Sequence, residues 1–262
     1  MTGNHVLDAR SGLAYTEQGA AGGEAVLLAH SILTDGRIWQ DQAAWLARRY
    51  RVITLDLPGH GQAPVAAGVT LSGLADAIAA LATTLGCARF HFMGVSLGAM
   101  VGFDLAARHA DRLASLVACD APPSTPDNYA ALWDERIARA RQGGTAVLAD
   151  ETLQRWFTPP TLARNPPFVA ALRAQIVGTP VEGFAQCAQA ISRFDYRSAL
   201  AACPVRTTLA AGAADGAIVP AMREQAQAMP HCEWVEIPDA GHLPNVENPA
   251  AFQAMMARHF EG

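Results

Sequence analysis

Charge is scarce in this chain. Of its 262 residues 16% are charged and the net charge is −5, with no basic cluster to offset it. That balance argues against nucleic acid or an anionic membrane surface as a partner. Long apolar runs are missing as well: none approaches the roughly 18 residues of a membrane-crossing helix. Met1-Thr2-Gly3-Asn4-His5 has neither a charged nor an apolar leader region, so no signal peptide is expected. Cys87, Cys119, Cys187, Cys203 and Cys232 are odd in number, widely spaced and never in a C-x-x-C pair. Zinc is therefore not expected, and reduced thiols in a cytoplasmic protein are. Internal repeats and low-complexity segments are also lacking. What the chain has is apolar residues, 51% of the total, enough for a well-packed globular core.

Patterns along the chain alternate between two periods. His5–Leu7 and Leu13–Thr16 read as short strands around a Ser11-Gly12 turn. Ala25–Ala29, Arg51–Asp56, Arg89–Met93 and Leu113–Cys119 read as strands. Arg37–Arg49, Leu71–Leu85, with Ser72 near its start, and Leu97–His109 read as the intervening helices. From Asn128 to Phe194 the pattern is helical throughout, broken by Gly143-Gly144, Pro159-Pro160 and Thr179-Pro180. Alternation resumes with a strand at Val205–Ala210, a helix at Pro220–Met229, a strand at Glu233–Ile237 and a helix at Pro249–Phe260. An α/β fold is predicted, with a mostly parallel central sheet flanked by helices. Its core spans residues 1–121 and 203–262, and a helical lid, residues 122–202, is inserted after the sixth strand. Ligands in such sheets sit beyond the carboxyl ends of the strands. The helical block is expected to leave and re-enter at those ends and to cover the site.

The most informative stretch is Gly94-Val95-Ser96-Leu97-Gly98, a match to G-x-S-x-G. An apolar strand precedes it and a helical pattern follows it, which is the setting the motif needs. There the serine sits on a strained turn with its hydroxyl at the end of the sheet, and glycines are needed where side chains would strike neighbouring backbone. The helix that begins behind Ser96 offers free N–H groups to an oxyanion.

A serine hydroxyl needs a base, and the base needs an orienting carboxylate. In this topology they follow in the order serine, acid, histidine. Asp215 stands after the first strand beyond the lid and His242 after the last strand, beside Gly241. Asp120, after an earlier strand, and Asp239, in a turn sequence, are the rival acids. His5, His91, His109, His231 and His259 fall away from the strand ends and read as structural or solvated; His60 reads as a turn-fixing residue. The oxyanion donors are expected to be the N–H groups of Leu97 and Ile32. Ser31 either presents its hydroxyl to the site or caps the next turn. No cofactor and no metal are expected.

Together these residues resemble the α/β-hydrolase superfamily over nearly the whole chain, and within it 3-oxoadipate enol-lactonases most. The stretches that carry the narrower resemblance are Ser31–Trp39, Arg155–Pro159, Thr179–Phe184 and His242–Glu247. Two departures border the site. Enol-lactonases usually have Ser-Asn-Ser-Leu-Gly at Ala29–Leu33 and Thr-Arg-Gly-His-Gly at Leu57–Gly61, so a glycine is replaced by Leu33 and an arginine is missing. The resemblance implies hydrolysis of a small enol-lactone through Ser96, His242 and Asp215. A general carboxylesterase or other lactonase on the same residues is the alternative. A ligand sensor with little turnover is a third reading, against which the complete triad weighs. The substrate's separate carboxylate calls for a cationic or hydrogen-bonding partner. Arg37 and Arg136 are the candidates, each open also to a solvated surface reading; Trp133 lines the pocket or packs the lid. A small-molecule ester or lactone is the expected partner, and self-association as a homo-oligomer stays open.

Overall fold

The carboxyl ends of six parallel strands converge on one edge of the molecule, and the local sequence explains how. In chain order, the computed structural model has β1 (Val6–Leu7), β2 (Ala14–Gly19), β3 (Ala25–Ala29), α1 (Gln40–Leu46), β4 (Arg51–Asp56), α2 (Leu71–Thr84), β5 (Phe90–Val95), α3 (Leu97–Arg108) and β6 (Leu113–Cys119). A helical block follows: α4 (Tyr129–Gly143), α5 (Ala149–Trp156), α6 (Pro159–Arg164), α7 (Pro167–Gly178), α8 (Val181–Ala190) and α9 (Arg197–Ala201). The chain closes with β7 (Thr207–Gly212), α10 (Ile218–Ala228), β8 (Cys232–Ile237), α11 (Pro244–Glu247) and α12 (Pro249–Glu261). The structure describes residues 5–261; the signal-peptide expectation rests on residues that, except for His5, lie outside them.

The described strands form one sheet in the order β1-β2-β4-β3-β5-β6-β7-β8. The β1–β2 and β2–β4 pairings are antiparallel and the rest parallel. Every residue of β3, β5 and β7 is buried. Helices cover both faces of a parallel sheet, so its central strands read as continuous apolar runs rather than as alternations. After β3 the chain moves outward to β4 and then returns to β5 on the other side of β3. The sheet's direction therefore reverses between β3 and β5, where a crevice opens.

Several expected elements change at their ends. The stretch Arg37–Arg49 splits into a 3-10 turn, Gly36–Trp39, and α1. Pro159-Pro160 is not a break but the start of α6, because proline lacks the N–H that a first helical turn leaves unpaired anyway. α9 and α11 are too short to show a period. α2 is capped by the Thr70 hydroxyl, which accepts the Gly73 N–H at 3.0 Å. Ser72 instead donates to Asp104 at 2.8 Å. The helical block leaves at the carboxyl end of β6, as expected, but does not re-enter there. β6 and β7 are parallel, so the chain must return to the amino end of β7, which it does after α9.

Polar groups buried in this core must find partners. At the amino ends of β5, β6 and β7, Ser115 Oγ lies 2.7 Å from both His91 Nδ1 and His259 Nε2, and Thr208 Oγ1 lies 2.8 Å from His259 Nδ1. Burial pushes His259 down to about 3 and likewise His60 to about 3. A histidine held neutral in the fold but free to charge near 6.5 when unfolded stabilises the fold fully above pH 6.5. That stabilisation is lost as pH falls from 6.5 toward 3, by about 2 kcal/mol per histidine at pH 5. We expect thermal unfolding midpoints to drop between pH 7.5 and pH 5, and to drop less in His259→Asn. Equal drops in the two proteins would contradict this assignment.

Candidate active site

Ser96 is the residue between β5 and α3, and its backbone shows why the sequence around it is small. It has φ 55° and ψ −116°, a left-handed conformation that costs a non-glycine residue of order 1–3 kcal/mol. The neighbouring contacts enforce it. A Cβ at Gly94 would lie 2.3 Å from the Gly98 carbonyl, and one at Gly98 would lie 2.2 Å from the Ala29 carbonyl oxygen. The strand end, the turn and the helix start are packed backbone to backbone. Ser96 is 5% exposed.

β8 runs into a loop that brings His242 to the same edge. His242 Nδ1 stands 2.8 Å from Asp215 Oδ2, which lies just beyond β7. An ionised carboxylate accepts only, so Nδ1 carries the proton and Nε2 is left as the basic nitrogen. Among the described residues no hydrogen bond joins the ring to the Ser96 hydroxyl, a contact that commonly tightens only when substrate binds. The sharp turn in this loop is at Asp239, with φ 53°. Gly241 makes room for a close approach: a Cβ there would lie 2.4 Å from the Trp156 carbonyl oxygen. That same carbonyl accepts the His242 N–H at 2.8 Å. Asp239, one of the rival acids, is thus the turn former. Asp120, the other, is fully buried beside Asp215.

One ligand atom from each of Asp120, Asp215 and His242 lies within 4.8 Å of the others. Two ligands of one tetrahedral zinc, each at about 2.1 Å, would stand about 3.4 Å apart. The 2.8 Å between His242 and Asp215 instead fits a shared proton.

The loop after β3 supplies the other wall. The His30 ring accepts the Leu57 N–H on Nε2 at 2.9 Å and so donates from Nδ1 to the Ser31 carbonyl at 2.7 Å. Burial lowers its pKa and keeps it neutral for this double task. The Gly98 N–H donates to the His30 carbonyl at 3.1 Å, which locks the loop to the start of α3. Asp56 closes the far end by accepting the Gly36 and Gln62 N–H groups at 2.8 and 2.9 Å. The N–H groups of Ile32 and Leu97 have no acceptor among the described residues. Ser31 is buried with its hydroxyl unpaired. Leu33 has φ 62°, a conformation natural to glycine, and is fully buried.

The two arginines part company. Arg37 is bound to its neighbour Asp35 through both Nε and Nη2, its side chain 67% exposed, and it is not joined to Ser96 or His242. Arg136 is 7% exposed on α4, stacked 5.2 Å over the Trp133 ring, with one hydrogen bond to Thr152 at 2.8 Å. Burial, and then the charge of Arg155, lower it to about 10, still cationic near neutrality. Its Nε and the Trp133 Nε1 are both buried N–H donors without an acceptor.

Sequence reasoning assigned no role to Glu247. Its Oε2 accepts the Gly241 N–H at 2.7 Å, and its Oε1 accepts the Thr158 N–H and hydroxyl at 2.9 and 2.6 Å. It therefore ties the histidine loop to the helical block. Trp156, whose ring lies parallel to that of His242 with centroids 6.3 Å apart, was equally unassigned. Both lie in stretches that carry the family resemblance, Arg155–Pro159 and His242–Glu247, but the contacts that give them a role are made across the fold.

The fold and this arrangement of serine, histidine and acid at the strand ends define a hydrolase of the α/β-hydrolase fold family, and the chain belongs to that family: the model of the alpha/beta hydrolase fold matches residues 24–249. Among curated relatives it is similar to 3-oxoadipate enol-lactonase 1 of Acinetobacter baylyi, 30% identical over 87% of this chain and 85% of that one. Among solved structures it is similar to the enol-lactonase from Burkholderia xenovorans LB400, at 31% identity and a TM-score of 0.92, covering 99% of this chain and 100% of that one. A thermophilic esterase from Thermogutta terrifontis, solved with malate bound, is similar at 28% identity and a TM-score of 0.91, over 100% and 98% of the two chains.

Removing the Glu247 carboxylate leaves the Gly241 and Thr158 donors unpaired. We expect Glu247→Ala to lower stability by about 2 kcal/mol and Glu247→Gln, which can still accept, by less. Denaturant unfolding of the three proteins measures this; equal stability of Glu247→Ala and wild type would contradict the bridge.

Proposed function

We propose that the protein opens a small enol-lactone of the 3-oxoadipate enol-lactone type through an acyl-enzyme on Ser96. In this reading residues 122–202 form the cap over the site. His242 Nε2 takes the Ser96 proton as the hydroxyl attacks the lactone carbonyl, and Asp215 holds the imidazolium that forms. The carbonyl oxygen becomes negative and is met by the Ile32 and Leu97 N–H groups. Ring opening expels an enolate, a better leaving group than an alkoxide, which takes the proton held by the His242 imidazolium and becomes a ketone, leaving His242 neutral. That last step makes the opening hard to reverse. Water, deprotonated by His242, then releases the acid and restores Ser96.

The observation that carries the narrow reading is the pair of unpaired buried donors on α4, Trp133 Nε1 and Arg136 Nε. Buried donors without acceptors are costly in a finished structure, and a substrate carboxylate would satisfy both. The likeness to two enol-lactonases supports the same choice. The Ser31 hydroxyl is a further contact in this proposal, and Arg37 is not. The alternative, a general carboxylesterase or other lactonase, is favoured by the likeness to the Thermogutta terrifontis esterase. The proposal includes a reducing, cytoplasmic setting, which suits five free cysteines, and needs no cofactor, nucleic acid or membrane. Among the described residues no helix is long and apolar enough to cross a membrane.

Loss of ultraviolet absorbance of 3-oxoadipate enol-lactone tests this directly. We expect rapid loss with wild type and at least about a ten-thousandfold lower kcat for Ser96→Ala with the fold intact. Retained turnover in that variant would refute the nucleophile; an intact lactone beside fast cleavage of aryl acetates would move the function to the alternative. Arg136→Met is expected to raise KM for the lactone about 10- to 100-fold, as loss of a hydrogen bond to a charged group does, while leaving KM for a neutral aryl ester unchanged. Equal changes for both substrates would remove Arg136 from carboxylate binding.

A further inference from the structure

The site holds a carboxyl group for which the mechanism has no use. Asp120 follows β6 directly, with φ 52°, and is 0% exposed. Its backbone N–H donates to the Ala210 carbonyl at 3.0 Å, and its Oδ1 accepts the Gly212 N–H at 2.8 Å. The second oxygen, Oδ2, is buried with no hydrogen-bond partner. Three titratable groups face or adjoin it. Asp215 comes from the turn after β7, His242 from the loop after β8, and Cys119 precedes it on β6. The thiol is fully buried and neutral, pushed well up by that burial.

A carboxylate at this place would be a buried charge with one backbone donor, beside a second carboxylate that His242 requires to be ionised. Two such anions cannot both persist, so one proton stays on the pair. Burial first, and then the Asp215 charge, hold Asp120 protonated well above the usual carboxylate range. Protonation turns Oδ2 from an acceptor without a donor into a donor. Among the described groups around it, the acceptor within reach of that proton is the Asp215 carboxylate.

We propose that Asp120 is a positioning residue of this site: a neutral carboxylic acid that donates its proton to Asp215, fixes that carboxylate against His242 Nδ1, and ionises to replace it when Asp215 is neutralised. The inference rests on the reading of Ser96, His242 and Asp215 as a triad. In the wild-type cycle Asp120 keeps its proton throughout, and only the Ser96 proton moves to His242. In Asp215→Asn the neighbouring charge is gone. Burial still favours the neutral acid, so Asp120 gives up its proton to solvent where the imidazolium forming on His242, within 4.8 Å, supplies the counter-charge, and the anion then stabilises that imidazolium in place of Asp215.

Two measurements test it. The first is the infrared difference spectrum between wild type and Asp120→Asn at pH 7, which reads a protonated carboxyl C=O band without reference to turnover and so separates failure of this inference from failure of the proposed function. The band is expected in wild type and lost in D120N. The second is a double-mutant cycle on kcat, with pH profiles. Neutralising the acid of a triad costs about ten-thousandfold. D215N alone is expected to lose only about a hundredfold, with activity that climbs as Asp120 ionises. The double variant D215N/D120N is expected to lose about ten-thousandfold and to lack that climb. Should D120N fold poorly, Asp120→Ser makes the same comparison with a smaller side chain. Absence of the carboxyl band, or losses in the double variant equal to the product of the single ones, overturns the inference.

Discussion

The close approach of α3 to β3 and β5 is the constraint from which the rest of the structure follows. A single methyl group at Gly98 would come within 2.2 Å of the Ala29 carbonyl oxygen, and one at Gly94 within 2.3 Å of Gly98. With those glycines the helix starts directly behind the strand end, and Ser96 is forced into its left-handed turn. The same approach lets the Gly98 N–H reach the His30 carbonyl, so the loop after β3 is drawn up beside the serine. Leu97 and Ile32 follow the ends of β5 and β3, the two strands between which the sheet reverses. Strain at Ser96 is sustained because the packing around it leaves no relaxed alternative.

Opposite that wall, polar groups are ordered by burial. Asp215 orients His242 at 2.8 Å, and Glu247 fastens the histidine loop to the helical block through three hydrogen bonds. His30 and His60 are kept neutral by their surroundings, so their rings shape backbone instead of carrying charge into the site. Arg136 on α4 keeps its positive charge although buried, with Glu151 3.6 Å from its Nη1. Closing a site of this kind raises the strength of each interaction inside it, since little water remains to screen them.

Strand ends were the most legible part of the sequence. β3, β4 and β6 lie where their apolar runs stop, and Ser96, Asp215 and His242 each stand where a parallel sheet would deliver them. The reason is local: Gly, Asp and His at a strand's carboxyl end break its pattern sharply. Less was readable where the cause is non-local. The prolines of α6 looked like a break because proline both ends and begins helices. The return to the amino end of β7 depends on pairing direction, which no short window records. Arg37 and Arg136 were indistinguishable as candidates until Asp35 and Thr152 were in place around them. Leu33 was visible as a departure from glycine, but its cost, a positive φ in a fully buried residue, is a property of the folded loop. The partnership of Asp120 with Asp215 joins residues on neighbouring strands, far apart in sequence, and became visible only in the sheet.

The central claim is that Ser96 becomes acylated by a lactone. Rapid-quench mass spectrometry of the wild-type protein mixed with 3-oxoadipate enol-lactone, quenched within the first turnover and followed by peptide mapping, reads that bond directly. A single adduct of the mass of the opened lactone is expected on the peptide that carries Ser96. Turnover with no adduct under these conditions, or an adduct on another residue, would contradict it.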